Sequence, residues 1–290
     1  MQKEGFIMKR FDYSFLDNGL LPANLINITG TIYSLKTGAK IRKDEYERIF
    51  NELEKIAVVQ SVKSSNAIEG IVTSDERIEE IVNQNSKPLN NNEKEIAGYR
   101  DALNEIHLHY GDIEFSENTI LRLHEIMMSY TGSEDAGQYK VNQNYIVEED
   151  KQGNRKMRFK PLDAKETPEA MEQLVLAYQD ACSNSNINQL LLIPCAILDF
   201  LCIHPFRDGN GRMSRLLTLL LLYKNGFDVG KYVSYEEQIN NSKGNYYEAL
   251  RLSSINWLEN EHSYIPFIEN FLSTIYMCYK ELDKRFSVVN

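Results

Sequence analysis

Positions 204 to 215 read His204-Pro205-Phe206-Arg207-Asp208-Gly209-Asn210-Gly211-Arg212-Met213-Ser214-Arg215. Apolar runs lie on both sides of this polar stretch, at 190–203 and 216–223, and the pattern predicts two buried helices joined by a tight turn. Pro205 disfavours helical geometry at the residue before it, so we expect the first helix to end at His204. Gly209 and Gly211 permit the backbone conformations that a turn needs, and we expect the second helix to begin near Gly211.

The predicted turn has the features of an anion site. The backbone N–H groups of Gly209, Asn210 and Gly211 would point into the turn at a helix N-terminus, where anions are stabilised. Arg212 and Arg215 are three residues apart, so their side chains emerge from one face of the helix. Because a guanidinium group binds two oxygens at once, this pair suits phosphate.

Two further side chains of the turn extend this interpretation. Asp208 supplies an oxygen ligand of the kind that Mg²⁺ prefers, and His204 can take up a proton near neutral pH. Together with the anion site, these groups predict a site for phosphoryl chemistry. The alternative is an ordinary corner between two helices, whose histidine and arginines are merely solvated.

The stretch 204–215 matches the signature H-P-F-x-[DE]-G-N-G-R-x-x-R without a gap, and the chain therefore resembles Fic-domain proteins, which move AMP from ATP onto a protein hydroxyl. This resemblance implies an all-α helical bundle with one small β-hairpin, called the flap. It implies that ATP and Mg²⁺ bind at the turn, with His204 as catalytic base and Asp208 as metal ligand. The nucleotide-binding residues that it implies within the motif are Asp208, Gly209, Asn210, Gly211, Arg212, Met213, Ser214 and Arg215. An inactive member of the family is the alternative.

Composition bounds the class of protein. The chain has 290 residues, 42% of them hydrophobic, and a net charge of -10, which predicts a globular protein without an extended nucleic-acid surface. No apolar run reaches transmembrane length and the first residues lack a signal-peptide core, so we expect a cytoplasmic protein that does not bind membranes. The four cysteines form no C-x-x-C pair, and we expect Cys195 and Cys202, in the apolar run before the motif, to be buried reduced thiols.

A helical pattern precedes the motif and ends at a glycine. Apolar residues between 43 and 60 are spaced for one helix face, and Gly70 is a plausible cap that leaves Glu69 in the last turn. Alone, Glu69 is more simply a solvated residue before a turn. Beside the main motif, Ser65-x-x-x-Glu69-Gly70 resembles the [ST]-x-x-x-E-[GN] inhibitory motif of Fic proteins. The resemblance implies an inhibitory helix at about 45–70, whose Glu69 pairs with Arg215 and prevents the ATP γ-phosphate from docking.

Short strand-like runs between 143 and 160 interrupt the helical pattern and predict a β-hairpin with a polar loop. Two strands alone are marginally stable, so an isolated hairpin in a helical chain suggests a functional role. This hairpin resembles the flap of Fic proteins. The resemblance implies that a target segment adds to the flap as a strand and that Ile146 and Val147 lie near ATP. The G-x-[FY]-R element that precedes the family's flap ends here in Lys140 in place of arginine.

A tyrosine pair marks a second candidate contact with the nucleotide. The stretch that begins Asn245-Tyr246-Tyr247 resembles the family's Y-Y-x-x-L helix, whose first tyrosine lines the nucleoside pocket. This implies that Tyr246 contacts adenosine, although a packed aromatic side chain is an equal alternative. An asparagine found further along in some relatives is Ser254 here. No G-x-x-x-x-G-K-[ST] occurs, which excludes a P-loop.

We divide the chain into an N-terminal segment at 1–44 that packs on the core, a Fic domain at 45–271, and the end of a C-terminal helix at 272–290. Locally, we expect Thr73-Ser74-Asp75-Glu76 to open one helix with a Thr or Ser cap, and Thr167 to cap another. We interpret His124 as a hydrogen-bonded core histidine. The expected partners are ATP and a target protein that presents a hydroxyl side chain. A homodimer is compatible with the sequence.

Three other activities are compatible with these patterns. The first is the reverse reaction, in which Glu69 orients a water that removes AMP from a modified protein. The second is transfer of another group, such as UMP or phosphocholine. The third is a nucleotide-sensing interaction module without turnover. The sequence names neither the target protein nor the signal that relieves inhibition.

Overall fold

The computed structural model of the chain describes residues 9–149 and 155–287. Over these residues the fold is all-α with one two-stranded β-hairpin, as predicted. No described helix is both long and apolar enough to cross a lipid bilayer. The helices are α1 (Phe15–Asn18), α2 (Ala23–Glu45), α3 (Glu47–Ile68), α4 (Asp75–Asn83), α5 (Asn91–His109), α6 (Glu117–Met128), α7 (Thr167–Ser183), α8 (Gln189–Ile203), α9 (Asn210–Lys224), α10 (Tyr235–Asn241), α11 (Lys243–Ser254) and α12 (Ile265–Ser287).

Helices α8 and α9 form the centre of the molecule and are joined by the predicted turn. Nearly every side chain of both helices is buried, because their apolar runs leave no polar face. Helix α8 ends at Ile203, close to the end that Pro205 predicts. His204 follows in the left-handed conformation with φ of 53°, and not in the extended conformation that a following proline favours. Helix α9 begins at Asn210, slightly earlier than predicted, because Gly209 caps it with φ of 80°.

Helix α3 carries the predicted inhibitory segment and packs against α5, α9 and α10. Gly70 has φ of 80°, and the N–H groups of Gly70 and Ile71 donate back to carbonyls of the last helical turn, which closes the helix. Glu69 is therefore the capping residue after the helix, and its predicted place in the last turn is wrong. The periodic pattern before it belongs to two helices, which are separated at Tyr46.

Both ends of the described chain pack on the centre. Helix α2 lies along α12, and α12 is continuous across the predicted boundary at residue 272. In the middle of α8, the buried carboxylate of Asp199 accepts hydrogen bonds from Tyr13 (2.9 Å), Tyr264 (2.8 Å) and the Trp257 indole (2.6 Å). The N-terminal and C-terminal segments are thereby attached to the helix that leads into the turn.

The hairpin consists of β1 (Ile146–Glu149) and β2 (Arg155–Phe159), paired antiparallel. The middle of its predicted loop, at 150–154, lies outside the described residues, as does the side chain of Val147. Gln143 anchors the base of the hairpin: its amide donates to Pro161 O at 3.0 Å and accepts from Ala164 N–H at 3.0 Å. The hairpin thus leaves the helical body at a fixed point.

Two helix starts test the capping expectations. The predicted helix start at 73–76 is confirmed, and Ser74 is the residue that caps α4, since its hydroxyl accepts from Arg77 N–H at 3.3 Å. The predicted cap of α7 is wrong by one position, because Thr167 is already helical and Glu166 is the capping residue. The Thr167 hydroxyl donates to Asp163 O at 3.0 Å, so it satisfies a carbonyl behind it instead of an N–H ahead.

Helices α5 and α6 cross in close contact at Gly98. A Cβ at this position would overlap the carbonyl oxygen of Met127, so a residue without a side chain is what lets the two backbones approach. The side chain of Met127 in turn fills the space where a Cβ on Gly209 would lie. The spacing of these two helices therefore supports the turn from behind.

We expect Gly98→Ala to lower the free energy of unfolding by about 1–3 kcal/mol, because overpacking against backbone forces a helix to move. Gly38→Ala is the matched control: it lies inside α2, and an added Cβ would meet nothing within 4 Å. The control should be neutral or stabilising by up to about 1 kcal/mol, from helix propensity. Urea unfolding measures both, and an unchanged midpoint for Gly98→Ala would contradict the close crossing.

Candidate active site

A cavity of about 410 Å³ opens between the turn, the hairpin and α11. The motif contributes His204, Gly211 and Arg215 to its lining, the hairpin contributes Ile146, and α11 contributes Tyr246. These are residues that the sequence patterns singled out in three separate parts of the chain. The fold brings them together around one space.

His204 is held so that one ring nitrogen remains free. Its Nδ1 lies 3.3 Å from Leu201 O, and because a carbonyl can only accept, Nδ1 carries the proton and Nε2 is the basic nitrogen. Burial lowers the pKa of His204 to about 4, and the Lys140 ammonium contributes to this lowering. The imidazole is therefore neutral at physiological pH and able to accept a proton beside the cavity.

The turn is fixed from inside by Asn210 and from behind by His124. The Asn210 amide accepts from Phe206 N–H at 2.9 Å and donates to Phe206 O at 2.7 Å. The Phe206 ring stacks on His124, with ring centroids 3.7 Å apart. His124 accepts from Gly137 N–H at 3.0 Å and donates to Asp208 O at 3.1 Å. The prediction of a hydrogen-bonded core histidine is confirmed, and the structure adds that this histidine supports the turn.

Two motif residues that were predicted to bind nucleotide have side chains directed elsewhere. Met213 is fully buried in the core. Ser214 is also buried, and its hydroxyl donates to Gly211 O at 2.7 Å. Their side chains shape the first turn of α9 and are not offered to the cavity.

Arg215 is paired with Glu69, as the sequence predicted. Its Nη2 lies 2.8 Å from Glu69 Oε1, and its guanidinium also donates to the hydroxyl and the carbonyl of Ser65 at 2.8 and 2.9 Å. A Cβ on Gly211 would overlap Glu69 Oε1, so the carboxylate lies directly on the first turn of α9. An acidic side chain thus occupies the place where a helix N-terminus attracts an anion.

Arg212 has a partner that the sequence did not predict. Its Nη2 lies 2.7 Å from Glu95 Oε2 on α5 and 3.8 Å from Asp208 Oδ2. The Nε and Nη1 atoms of Arg212 are buried and have no hydrogen-bond partner among the described residues. No local pattern signals this pair, because it depends on the register of α5 against α9.

Asp208 is the metal ligand that the resemblance implies. Its side chain is 69% exposed beside the turn, and its Oδ1 accepts from Gly209 N–H at 2.6 Å. Within the described ranges, no group of three or more His, Cys, Asp or Glu side chains is placed to hold a metal ion together. One exposed carboxylate oxygen fits Mg²⁺ that keeps several waters and takes further ligands from substrate phosphates.

Lys140, which stands where the family's flap element usually has arginine, is buried beneath the turn. Its Nζ donates to Asn144 Oδ1, Leu162 O and Ile203 O at 2.9, 2.9 and 3.0 Å. Burial lowers the pKa of Lys140 to about 8. All three donors are used, so the lysine ties both ends of the hairpin to the end of α8.

The wall of the cavity on α11 contains the predicted tyrosine and a contact that was missed. Tyr246 is buried and packs at 5.9 Å from Phe267 between ring centroids, and it also lines the cavity. From the hairpin, Arg158 donates to Tyr247 O at 2.8 Å and places its guanidinium 5.1 Å from the Tyr247 ring centroid. This contact closes the hairpin against α11. Sequence patterns could not find it, because only the fold brings the two residues together.

Four histidines with lowered pKa values predict a steep acid limit of stability. Burial lowers the pKa of His107 to about 3 and the pKa values of His124, His204 and His262 to about 4. Below pH 6.5 the unfolded chain therefore binds protons that the folded chain excludes, and stability falls as the pH falls. We expect the free energy of unfolding to drop by about 4–5 kcal/mol per pH unit near pH 5, since each such proton contributes about 1.4.

Urea unfolding between pH 7 and pH 5 measures this slope. Replacing His107 with glutamine should reduce the slope by about a quarter, because one of four such protons is removed. Replacing His109, which is exposed on the same helix, should leave it unchanged. Equal slopes in both variants would show that the buried histidine is not the source.

Comparison with known proteins agrees with this fold. Residues 114–222 match the Fic/DOC family, and the chain carries a Fic domain over that range. A protein adenylyltransferase named fic-1 from Caenorhabditis elegans is 28% identical over 114 residues, which cover 39% of this chain and 20% of that protein. A Fido domain-containing protein from Dictyostelium discoideum is 32% identical over 91 residues, covering 30% and 59%. The matched regions are thus less than two thirds of either relative.

Solved structures share the fold over most of the chain. A Fic family protein from Desulfovibrio desulfuricans superposes with a TM-score of 0.74 at 21% identity, covering 92% of this chain and 76% of that one. A Fic domain-containing signaling protein from Bacteroides thetaiotaomicron gives 0.69 at 20% identity, covering 88% and 94%. Fic-1 from C. elegans gives 0.70 at 18% identity, covering 92% and 74%. At these identities the likeness establishes the fold alone.

Proposed function

We propose that the chain is a protein adenylyltransferase, which moves AMP from ATP to a Ser, Thr or Tyr hydroxyl of a target protein. The observation that carries this proposal is the ion pair of Arg215 with Glu69, whose carboxylate lies on Gly211 at the start of α9. A site that already accommodates an anion between a guanidinium and a helix N-terminus is built for phosphate. The partial match to a protein named adenylyltransferase supports the choice of AMP.

The positions of a few atoms support a reaction of this kind. The N–H groups at the start of α9 and the guanidinium of Arg215 would hold the ATP phosphates, and Arg212 would add positive charge beside them. The target hydroxyl oxygen attacks the α-phosphorus, and the bond from that phosphorus to the oxygen bridging to the β-phosphate breaks. Pyrophosphate leaves, and the hydroxyl proton passes to Nε2 of His204. Asp208 would hold Mg²⁺, which neutralises phosphate charge when bound.

The same cavity has room for the nucleoside of ATP. Its lining follows α11 from Tyr246 to Ser254, which corresponds to about 12 Å at 1.5 Å per helical residue. That length suits a nucleoside lying between the hairpin and α11, with Ile146 on one side and Tyr246 on the other. The target segment would pair with an edge of the hairpin by strand addition.

We further propose that Glu69 inhibits the resting enzyme, as in Fic proteins that carry an inhibitory helix before the catalytic motif. Its carboxylate forms an ion pair with the Arg215 guanidinium, which would otherwise bind a phosphate of ATP. The same carboxylate repels the negative charge of ATP. Because its side chain remains 32% exposed, Glu69 can leave the site without unfolding the core. This exposure also keeps the reverse reaction open, since the same carboxylate could orient a water.

The test is to incubate the chain, with Glu69 replaced by glycine, with Mg²⁺ and ATP labelled at either the α- or the γ-phosphate. Adenylyl transfer predicts covalent label on protein from α-labelled ATP alone. Label from γ-labelled ATP would indicate phosphoryl transfer instead. No label from ATP, but label from another nucleotide, would move the proposal to that donor. Tight ATP binding without any product would favour a sensing module.

A further inference from the structure

Glu95 lies beside the proposed phosphate site but belongs to none of the recognised motif residues. With Asp208 and Arg212 it lines a neighbouring cavity of about 300 Å³, which shares His204 and Gly211 with the larger one. Its Oε2 lies 2.7 Å from Arg212 Nη2, and the Arg212 side chain is only 1% exposed. A buried guanidinium requires an anionic partner, and Glu95 is the nearest one.

A second carboxylate competes for the same nitrogen. Asp208 Oδ2 lies 3.8 Å from Arg212 Nη2, beyond hydrogen-bond distance but close enough for attraction. The other oxygen of Asp208 is engaged by Gly209 N–H. Oδ2 is therefore the oxygen that remains for a metal ion, and it is also the one that Arg212 would capture if it moved by about 1 Å.

We propose that Glu95 is a positioning residue, which holds Arg212 away from Asp208 and so keeps Asp208 Oδ2 available for the Mg²⁺ that accompanies ATP. This inference rests on the proposed function, because it assumes that a metal–nucleotide complex binds at the turn. The observation behind it is that Arg212 Nη2 lies 2.7 Å from Glu95 Oε2 but 3.8 Å from Asp208 Oδ2. Because Glu95 already balances the charge of Arg212, Asp208 is not drawn into this ion pair.

Neutralising Glu95 should reverse this preference. In Glu95→Gln the amide oxygen can still accept from Arg212, but Asp208 is then the nearest carboxylate to the guanidinium among the described residues. Arg212 would then turn towards Asp208 and form an ion pair with Oδ2. The metal would have to displace that pair, so the benefit of Mg²⁺ to ATP binding should decrease.

Titration calorimetry with ATP, in the presence and absence of Mg²⁺, measures this directly and needs no turnover. The background is Glu69→Gly, in which the phosphate site is open. We expect Mg²⁺ to strengthen ATP binding to this variant, and Glu95→Gln to reduce that gain about 10-fold, equivalent to about 1.4 kcal/mol. Glu95→Asp, which keeps the charge, should restore part of the gain. The quantity compared is the ratio of the affinities with and without Mg²⁺ within each protein, so a change in ATP affinity that is common to both conditions cancels.

The matched control is Glu105→Gln in the same background. Glu105 is also on α5, pairs with Arg122 at 2.7 Å and is 24% exposed, against 22% for Glu95, but it does not line either cavity. It should leave the Mg²⁺ gain unchanged. Thermal unfolding shows whether each variant is folded. If Glu95→Gln is unfolded, the effect of Mg²⁺ on ATP affinity is compared between Glu95→Asp and the Glu69→Gly background.

An equal loss of ATP affinity with and without Mg²⁺ would overturn the inference and give Glu95 a purely structural role. An unchanged Mg²⁺ gain in Glu95→Gln would overturn it as well. Failure of the Glu69→Gly background to bind ATP under either condition is a different result, since it would remove the proposed function itself.

Discussion

Replacing Glu69 with glycine should raise the rate of AMP transfer roughly 10²-fold, on the basis of an interaction worth about 2–3 kcal/mol. In the resting chain Glu69 holds Arg215 at 2.8 Å and covers Gly211. A phosphate that approaches this place meets a negative charge and an arginine already in use. Removing the carboxylate eliminates both obstacles at once.

The freed arginine should keep its position. Arg215 retains its two hydrogen bonds to Ser65, so the guanidinium remains directed at the cavity after Glu69 is lost. Glycine at a capping position costs at most about 1 kcal/mol in stability. The gain should therefore appear in activity without a matching loss of folded protein.

Intact-mass spectrometry after incubation with ATP and Mg²⁺ measures the effect as an AMP-sized mass gain on the chain or on added proteins. Glu69→Gln is the informative second variant, because it keeps the shape of the side chain and removes only its charge. An intermediate gain would separate electrostatic from steric blockage. Unchanged turnover in Glu69→Gly would end the claim of autoinhibition.

Replacing His204 should have the largest effect in the opposite direction. Loss of a general base typically costs about 10²–10⁴-fold in rate, and we expect this range for His204→Ala in the Glu69→Gly background. ATP should still bind, because the phosphate-binding groups belong to α9 and its N-terminus. The comparison of labelling rate with ATP affinity in one protein separates chemistry from binding.

The left-handed backbone at position 204 calls for a second replacement. His204 has φ of 53°, a conformation that asparagine tolerates far better than alanine. His204→Asn therefore removes the base while relieving the strain that alanine would add. Equal loss of transfer in both variants assigns the effect to the imidazole. Normal labelling by His204→Asn would remove the base assignment.

The sequence predicted those parts of the site that local chemistry determines. The turn at 204–215 is specified by its own proline and glycines, and the end of α3 by Gly70. The pairing of Glu69 with Arg215 was implied only by the resemblance to Fic proteins, whose two short motifs contain these partners. The break between α2 and α3 at Tyr46 was missed, because no glycine or proline marks it and the apolar spacing continues across it.

The remaining contacts depend on how distant elements meet. Glu95 faces Arg212 only through the packing of α5 on α9, and Arg158 reaches Tyr247 only when the hairpin lies on α11. The three acceptors around Lys140 come from two loops and a helix end. A single sequence contains no periodic pattern or fixed spacing that identifies such pairs, so only the structure reveals them.

The hydrogen bonds to the Asp199 carboxylate show that the folded structure depends on residues outside the range that matches the family. The matched range 114–222 contains Asp199 but none of the three donors that satisfy it, which are Tyr13, Trp257 and Tyr264. A fragment cut to that range would leave this carboxylate, in the helix that leads to His204, without any of the three side chains that donate to it. It would also lack Glu69 and Glu95. The catalytic turn lies in the middle of the chain, and the contacts that support it come in part from residues before and after the matched range.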